Sequence, residues 1–147
     1  MKATKATVLL VEDNADDREL AMLAFEEAGI RENVAACEDA EQALDQLKKW
    51  ETDPAGRHRP GLVLLDIQLP GENGFQVLKS IRANPFTRFV PVVMLSSSSE
   101  ESDIIKSYKL GANSYVRKPV DFASFVELAR VFERYWLNLN EAPQNFA

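Results

Sequence analysis

Apolar and polar positions follow two rhythms along this chain, and the rhythms alternate. Val8-Leu9-Leu10-Val11, Leu62-Val63-Leu64-Leu65 and Val90-Pro91-Val92-Val93-Met94-Leu95 are short, continuous apolar runs. Such runs, bounded by turn residues, predict strands buried on both faces, as in a parallel sheet. Pro60-Gly61 and Pro70-Gly71 bracket the second run, and Pro91 sits near the start of the third, where a strand tolerates it. Val34 to Cys37 and Ser114-Tyr115-Val116 predict two shorter strands. Between the runs the period becomes helical. Asn14 to Ala28 predicts a helix with Asn14 as N-cap, Asp16, Asp17 and Glu19 in its first turn, and Gly29 as its stop. Ala40, Ala43, Leu44 and Leu47 place a second helix over Asp39 to Lys49, and Gly74, Val77, Leu78 and Ile81 mark one face of a third. Ser102 to Leu110 predicts a fourth, stopped by Gly111, and Phe122 to about Leu139 a fifth. Trp50 to Arg59 reads as a polar loop, longer than most such connections. Five β-α units in series predict an α/β fold of three layers, a parallel sheet with helices on both faces and right-handed crossovers.

The last helix is more apolar than one packed face requires. At about 100° per residue, Phe122, Phe125, Val126, Ala129, Phe132 and Trp136 cluster on one side as the core stripe. Leu128, Val131, Tyr135 and Leu139 form an adjacent stripe about a quarter turn away. That second stripe predicts a dimer surface built on strand 5 and helix 5, rather than a helix covered by the C-terminal tail.

Composition narrows the picture without deciding it. The 147 residues suit one domain over the whole chain, 1–147, with a core of about 6–139 and a short C-terminal tail. A formal charge of −6 argues against a nucleic-acid surface. The first residues hold no apolar signal core, and no apolar stretch approaches membrane-spanning length. Together with the lone Cys37, which has no disulfide partner within the chain, this predicts a cytoplasmic protein that does not enter the membrane. Cys37 reads as a small core residue near a strand end, and the lone His58 as a solvated loop residue.

The chemistry lies where the strands stop. The first strand runs into Glu12-Asp13, the third into Asp66, the fourth into Ser96, and the fifth leads to Lys118-Pro119. In open α/β sheets, ligands collect at the carboxyl ends of the strands. Acids delivered to one edge repel one another and need a compensating cation. Three carboxylates suit a hard divalent ion, with Mg²⁺ the natural choice and phosphate oxygens its usual companions. A lysine in the same crevice would bind a phosphoryl group as a point charge, and a serine hydroxyl could donate to another of its oxygens. Aspartate is a competent nucleophile for phosphoryl transfer, and one ionised at neutral pH needs no general base. Singly, Asp13 could be a helix cap, Lys118-Pro119 a turn and Ser96 the start of a loop. Four strand ends carrying acid, acid, hydroxyl and lysine are much harder to explain that way.

The chain resembles a two-component response-regulator receiver domain. The resemblance is carried by Val11-Glu12-Asp13-Asn14, Leu64-Leu65-Asp66-Ile67-Gln68-Leu69-Pro70-Gly71, Val93-Met94-Leu95-Ser96 and Gly111 to Pro119. It spans roughly residues 6 to 137, with thirty positions from Asp66 to Ser96 and twenty-two from Ser96 to Lys118. It implies the flavodoxin-like strand order 2-1-3-4-5. It implies Asp66 as phosphoacceptor, and Asp13, Glu12, Asp66 and the backbone carbonyl of Gln68 as holders of Mg²⁺, with Mn²⁺ or Ca²⁺ as substitutes. Ser96 and Tyr115 would be the switch residues, Lys118 the phosphoryl contact, and Lys118-Pro119 a cis peptide bond.

The loop from Trp50 to Arg59, the run from Ser107 to Tyr115 and Tyr135-Trp136-Leu137 before Pro143 are similar to stand-alone receivers paired with bacterial phytochrome histidine kinases. A sensor histidine kinase of that kind is the implied partner, and a changed dimer or partner surface the implied output. Two other chemistries use the same fold. A flavin-binding module would need a phosphate-cradling loop after strand 1, where Glu12 and Asp13 would repel a phosphate lacking a metal. An aspartyl-phosphate phosphatase would want a second acid two residues after its nucleophile, and that position is Gln68.

Overall fold

The computed structural model describes residues 5–54, 58–71 and 73–143. Its elements, in chain order, are β1 (Lys5–Val11), α1 (Ala15–Glu27), β2 (Val34–Cys37), α2 (Ala40–Glu51), β3 (His58–Leu65), α3 (Gly74–Ala83), β4 (Val92–Ser96), α4 (Glu101–Lys109), β5 (Ser114–Arg117) and α5 (Phe122–Arg134). A 3₁₀ turn, Arg31–Asn33, leads into β2, and a π-helical turn, Tyr135–Leu139, continues α5. The strands form one parallel sheet in the order β2-β1-β3-β4-β5. This is the expected doubly wound order, with β1 and β3 side by side at the point where the winding reverses.

Strand side chains alternate between two buried layers. Leu9, Val11, Val63, Leu65, Val92 and Met94 face α2 and α3, where they meet Ala43, Leu47, Trp50, Val77, Leu78 and Ile81. Val8, Leu10, Leu62, Leu64, Val93 and Leu95 face α1 and α5, where they meet Ala21, Ala24, Phe25, Phe125, Ala129 and Phe132. Phe25 and Phe125 close that second layer edge to face, with ring centroids 6.4 Å apart. Burial on both faces is why these strands read as unbroken apolar runs.

Helix starts follow their caps. The side chains of Asn14, Asp39, Asn73 and Asp121 each accept from a backbone N–H three residues on. Gly29 follows α1 with φ +81°, a conformation that favours glycine.

Several expectations are corrected. The strand expected at Leu62 begins at His58, so Pro60-Gly61 lies within β3 rather than bounding it, and His58 has strand rather than loop backbone. There the register with β1 shifts between Thr7 and Val8, and Gly61 is the residue passed over. The β4 register begins only at Val63, so the proline-bearing part of β3 lacks a β4 ladder partner. The loop expected over Trp50 to Arg59 is correspondingly shorter, because Trp50 and Glu51 finish α2; residues 55–57 of it lie outside the described residues.

The Lys118-Pro119 bond is trans, not cis. Trans is the lower-energy isomer by roughly 0.5–1 kcal/mol, and with it the Lys118 N–H already donates to the Ser96 carbonyl at 2.8 Å. Phe122 was expected in the core but is 42% exposed, because it opens the first turn of α5. Leu128, expected on an outer stripe, packs against the α1–α5 layer, whereas Val131, Tyr135 and Leu139 are exposed.

Among the described residues, no helix is long and apolar enough to cross a membrane. Cys37 is buried, as expected, and burial, then the neighbouring Asp39 charge, pushes its thiol up to about 11. At pH 8 only about a thousandth of it is thiolate, the form that reacts. Ellman's reagent at pH 8 is expected to modify the folded chain at least ~100-fold more slowly than the chain in guanidinium. Equal rates in the two states would contradict the burial.

Candidate functional site

Parallel strands end on one side of the sheet, so the residues after β1 and β3 meet there. The ladder carries just past the strands themselves: Glu12 N–H donates to the Cys37 carbonyl at 3.0 Å, and Asp66 N–H to the Val11 carbonyl at 3.2 Å. Both acids are thereby fixed by backbone and both are buried, at 4% and 7% exposure. Asp13 is exposed beside them, and oxygens of Glu12, Asp13 and Asp66 lie within 4.8 Å of one another. Arg18 steadies the turn that carries the pair. Its guanidinium donates to the Glu12 carbonyl at 2.9 Å and pairs with Glu38 at 3.2 Å, joining the connections after β1 and β2.

Lys118 offsets the negative charge. Its ammonium pairs with Glu12 at 2.5 Å, Asp66 at 3.0 Å and Asp17 at 3.3 Å. Burial pushes the Glu12 carboxyl above its ordinary value and the Asp66 charge pushes the same way, while Lys118 and the Asn14 N–H oppose them. Burial works against the charge on Lys118, but its hydrogen bonds to Glu12 and Asp66 outweigh it, so the ammonium is held above its ordinary range. The edge thus keeps two buried carboxylates and one half-buried cation in mutual contact, the condition under which buried charge is tolerated.

The residues after Asp66 are equally constrained. Gln68 N–H donates to Asp66 Oδ1 at 3.2 Å, folding the chain back over the carboxylate. Gly74 N–H then donates to the Ile67 carbonyl at 2.7 Å, which brings the start of α3 against the backbone of Asp66. A β-carbon at Gly74 would lie 2.1 Å from the Asp66 carbonyl oxygen. The sequence places Gly74 on a helix face; its requirement is clearance.

On the far side of the site, Ser96 is buried at the end of β4, next to β3. Ser98 N–H donates to Ser96 Oγ at 3.2 Å, and Tyr115 OH donates to the Ser98 carbonyl at 2.9 Å. Ser98 Oγ in turn donates to Asp103 at 2.7 Å. Ser98 therefore joins Ser96, Tyr115 and α4, a role hidden in the sequence by a run of four serines, Ser96 to Ser99. Asp17 and Arg18 were missed for a different reason. The polar first turn of α1 explains them as helix-start residues, and only the fold shows that they reach the strand ends.

Residues 8–130 match the family described as the response regulator receiver domain. The chain belongs to that family. This receiver is 37% identical over 136 residues to the probable methanogenesis regulatory protein FilR2 of Methanothrix harundinacea, covering 92% of this chain and 86% of that one. It is 33% identical over 139 residues to response regulator Rcp1 of Synechocystis, covering 92% of each. Among solved structures, the phosphorylated cyanobacterial phytochrome response regulator RcpA superposes with a TM-score of 0.82 at 33% identity, over 96% of this chain and all of that one. The bacteriophytochrome response regulator RtBRR does so at 0.72 and 42% identity, over 96% and 86%. The Mn²⁺-bound form of Rcp1, at 0.78 and 32% identity, covers 94% of this receiver and 99% of that chain.

The receiver is thus a two-component signalling protein close to phytochrome response regulators, not a classical enzyme, and its acidic cluster fits a divalent cation. Gly74→Ala is expected to lose about 1–3 kcal/mol in urea unfolding followed by tryptophan fluorescence. A loss of only a few tenths would mean that α3 can back away from Asp66 freely.

Proposed function

We propose that Asp66 accepts a phosphoryl group from a phosphohistidine of a sensor histidine kinase, of the bacterial phytochrome class. The observation that carries this is the buried Asp66 carboxylate within reach of Glu12, Asp13 and the Lys118 ammonium. An Asp66 oxygen forms the new bond to phosphorus as the bond from phosphorus to the histidine nitrogen breaks. The electron pair of that bond stays with the imidazole, which takes its proton on the kinase. Glu12, Asp13, Asp66 and the Gln68 carbonyl would hold Mg²⁺, with Mn²⁺ or Ca²⁺ able to replace it. When bound, the ion neutralises charge on the attacking carboxylate and on the transferring oxygens.

Lys118 supplies a fixed positive charge for the phosphoryl oxygens, and Ser96 a hydroxyl donor. Ser96 turning toward a phosphoryl group would release its bond from Ser98, and Ser98 holds the Tyr115 hydroxyl. Tyr115 is then free to change position, altering the surface of α4, β5 and α5. The same chemistry covers autophosphorylation from a small phosphodonor and hydrolysis of the product. A cytoplasmic, single-domain protein is the setting this reading assumes.

The output surface is a homodimer face along β5 and α5. Val131, Tyr135 and Leu139 recur every four residues and are 59%, 48% and 66% exposed. An exposed apolar line of this kind fits association between copies.

Incubation with acetyl phosphate and Mg²⁺ is expected to add one phosphoryl group by intact-mass analysis, and neither Asp66→Asn nor EDTA-treated protein should gain it. Full labelling of Asp66→Asn would move the acceptor elsewhere. In size-exclusion chromatography with light scattering, Val131→Asp with Tyr135→Asp is expected to shift the protein from dimer to monomer. A parent chain that is monomeric with and without phosphoryl group removes the dimer.

A further inference from the structure

Resting on that assignment of Asp66, we infer that Asp17 is the displaceable partner of Lys118, a positioning residue that occupies the ammonium donor needed by the incoming phosphoryl group and so restrains phosphorylation. An ammonium has three hydrogens, and three carboxylates surround this one: Glu12 at 2.5 Å, Asp66 at 3.0 Å and Asp17 at 3.3 Å. A phosphoryl oxygen reaching Lys118 therefore displaces one of them.

Burial decides which. The Glu12 and Asp66 side chains are 5% and 9% exposed, so neither recovers much water on giving up the lysine. The Asp17 side chain is 41% exposed and recovers water when released. Asp17 can therefore leave while Glu12 and Asp66 still pair with the ammonium. Its backbone stays in place when it does, because Asp17 N–H donates to the Asn14 side chain at 2.9 Å. Only the side chain needs to swing.

The test follows formation and loss of phosphoprotein on the full chain with acetyl phosphate and Mg²⁺. Asp17→Asn keeps the shape and weakens the acceptor. It is expected to label about two- to fivefold faster than the parent, the factor that corresponds to an exposed ion pair, and to lose label no faster. Asp17→Glu, which keeps the charge, should retain the parental rate. Asp16→Asn removes the same charge from an exposed neighbour and should change nothing. In a Lys118→Met background, Asp17→Asn should have no further effect.

An unchanged or slower rate in Asp17→Asn overturns the inference, as does equal acceleration by Asp16→Asn or by Asp17→Glu, or acceleration that persists without the lysine. Those failures leave Asp66 as acceptor. Absence of label on the parent chain would remove the acceptor assignment itself, and this inference with it.

Discussion

The contact of the Lys118 ammonium with Glu12 and Asp66 is the constraint on which the site depends. Two carboxylates are buried side by side at the edge of an apolar sheet. In such surroundings unpaired charge is expensive, and a pair becomes tolerable only when geometry and hydrogen bonds are both supplied. The fold supplies both with backbone. Glu12 and Asp66 are fixed by ladder bonds continuing past β1 and β3, and Lys118 by its bond to the Ser96 carbonyl. The three charges thus belong to the carboxyl ends of strands of one sheet. Their mutual placement costs no loop ordering beyond what the sheet already requires.

Function and strain share this edge. Two negative charges are held against one positive charge, and burial, with the neighbouring Asp66 charge acting the same way, raises the proton affinity of Glu12. Asp13 lies exposed at the mouth of the cluster and adds a third acid. An edge built this way favours whatever brings positive charge or takes up the lysine. The hydrogen bonds through Ser98 give the opposite rim a means to respond, since one residue bonds to Ser96, to Tyr115 and to α4 at once.

Much of this was legible in the sequence because the strands are buried on both faces. Continuous apolar runs ending in Glu12, Asp66 and Ser96 located the strand ends, and strand ends located the chemistry. What escaped depended on neighbours distant in sequence. Asp17 lies 101 positions from the lysine it meets. Gly74 looks like an ordinary helix residue until the Asp66 carbonyl is seen 2.1 Å from where its β-carbon would be. The early start of β3 was hidden because Pro60-Gly61 normally ends a strand; here β4 begins its ladder later, so the proline disrupts no register with it. The trans Lys118-Pro119 bond departs from the resemblance and follows the general preference instead.

The same distinction applies to α5. A helical wheel assumes a constant 100° step and a flat neighbour, and on those terms Leu128 belongs with Val131, Tyr135 and Leu139. Leu128 sits over the α1–α5 layer and is partly covered, whereas Val131 lies beyond it. After Arg134 the step itself changes: the π-helical turn closes with Asn140 N–H donating to the Tyr135 carbonyl at 2.7 Å, five residues back. The wider turn lets Trp136 and Leu137 pack on the core while Tyr135 and Leu139 remain outside. Periodicity therefore identified the surplus of apolar residues on this helix, and tertiary packing decided which of them reach the surface.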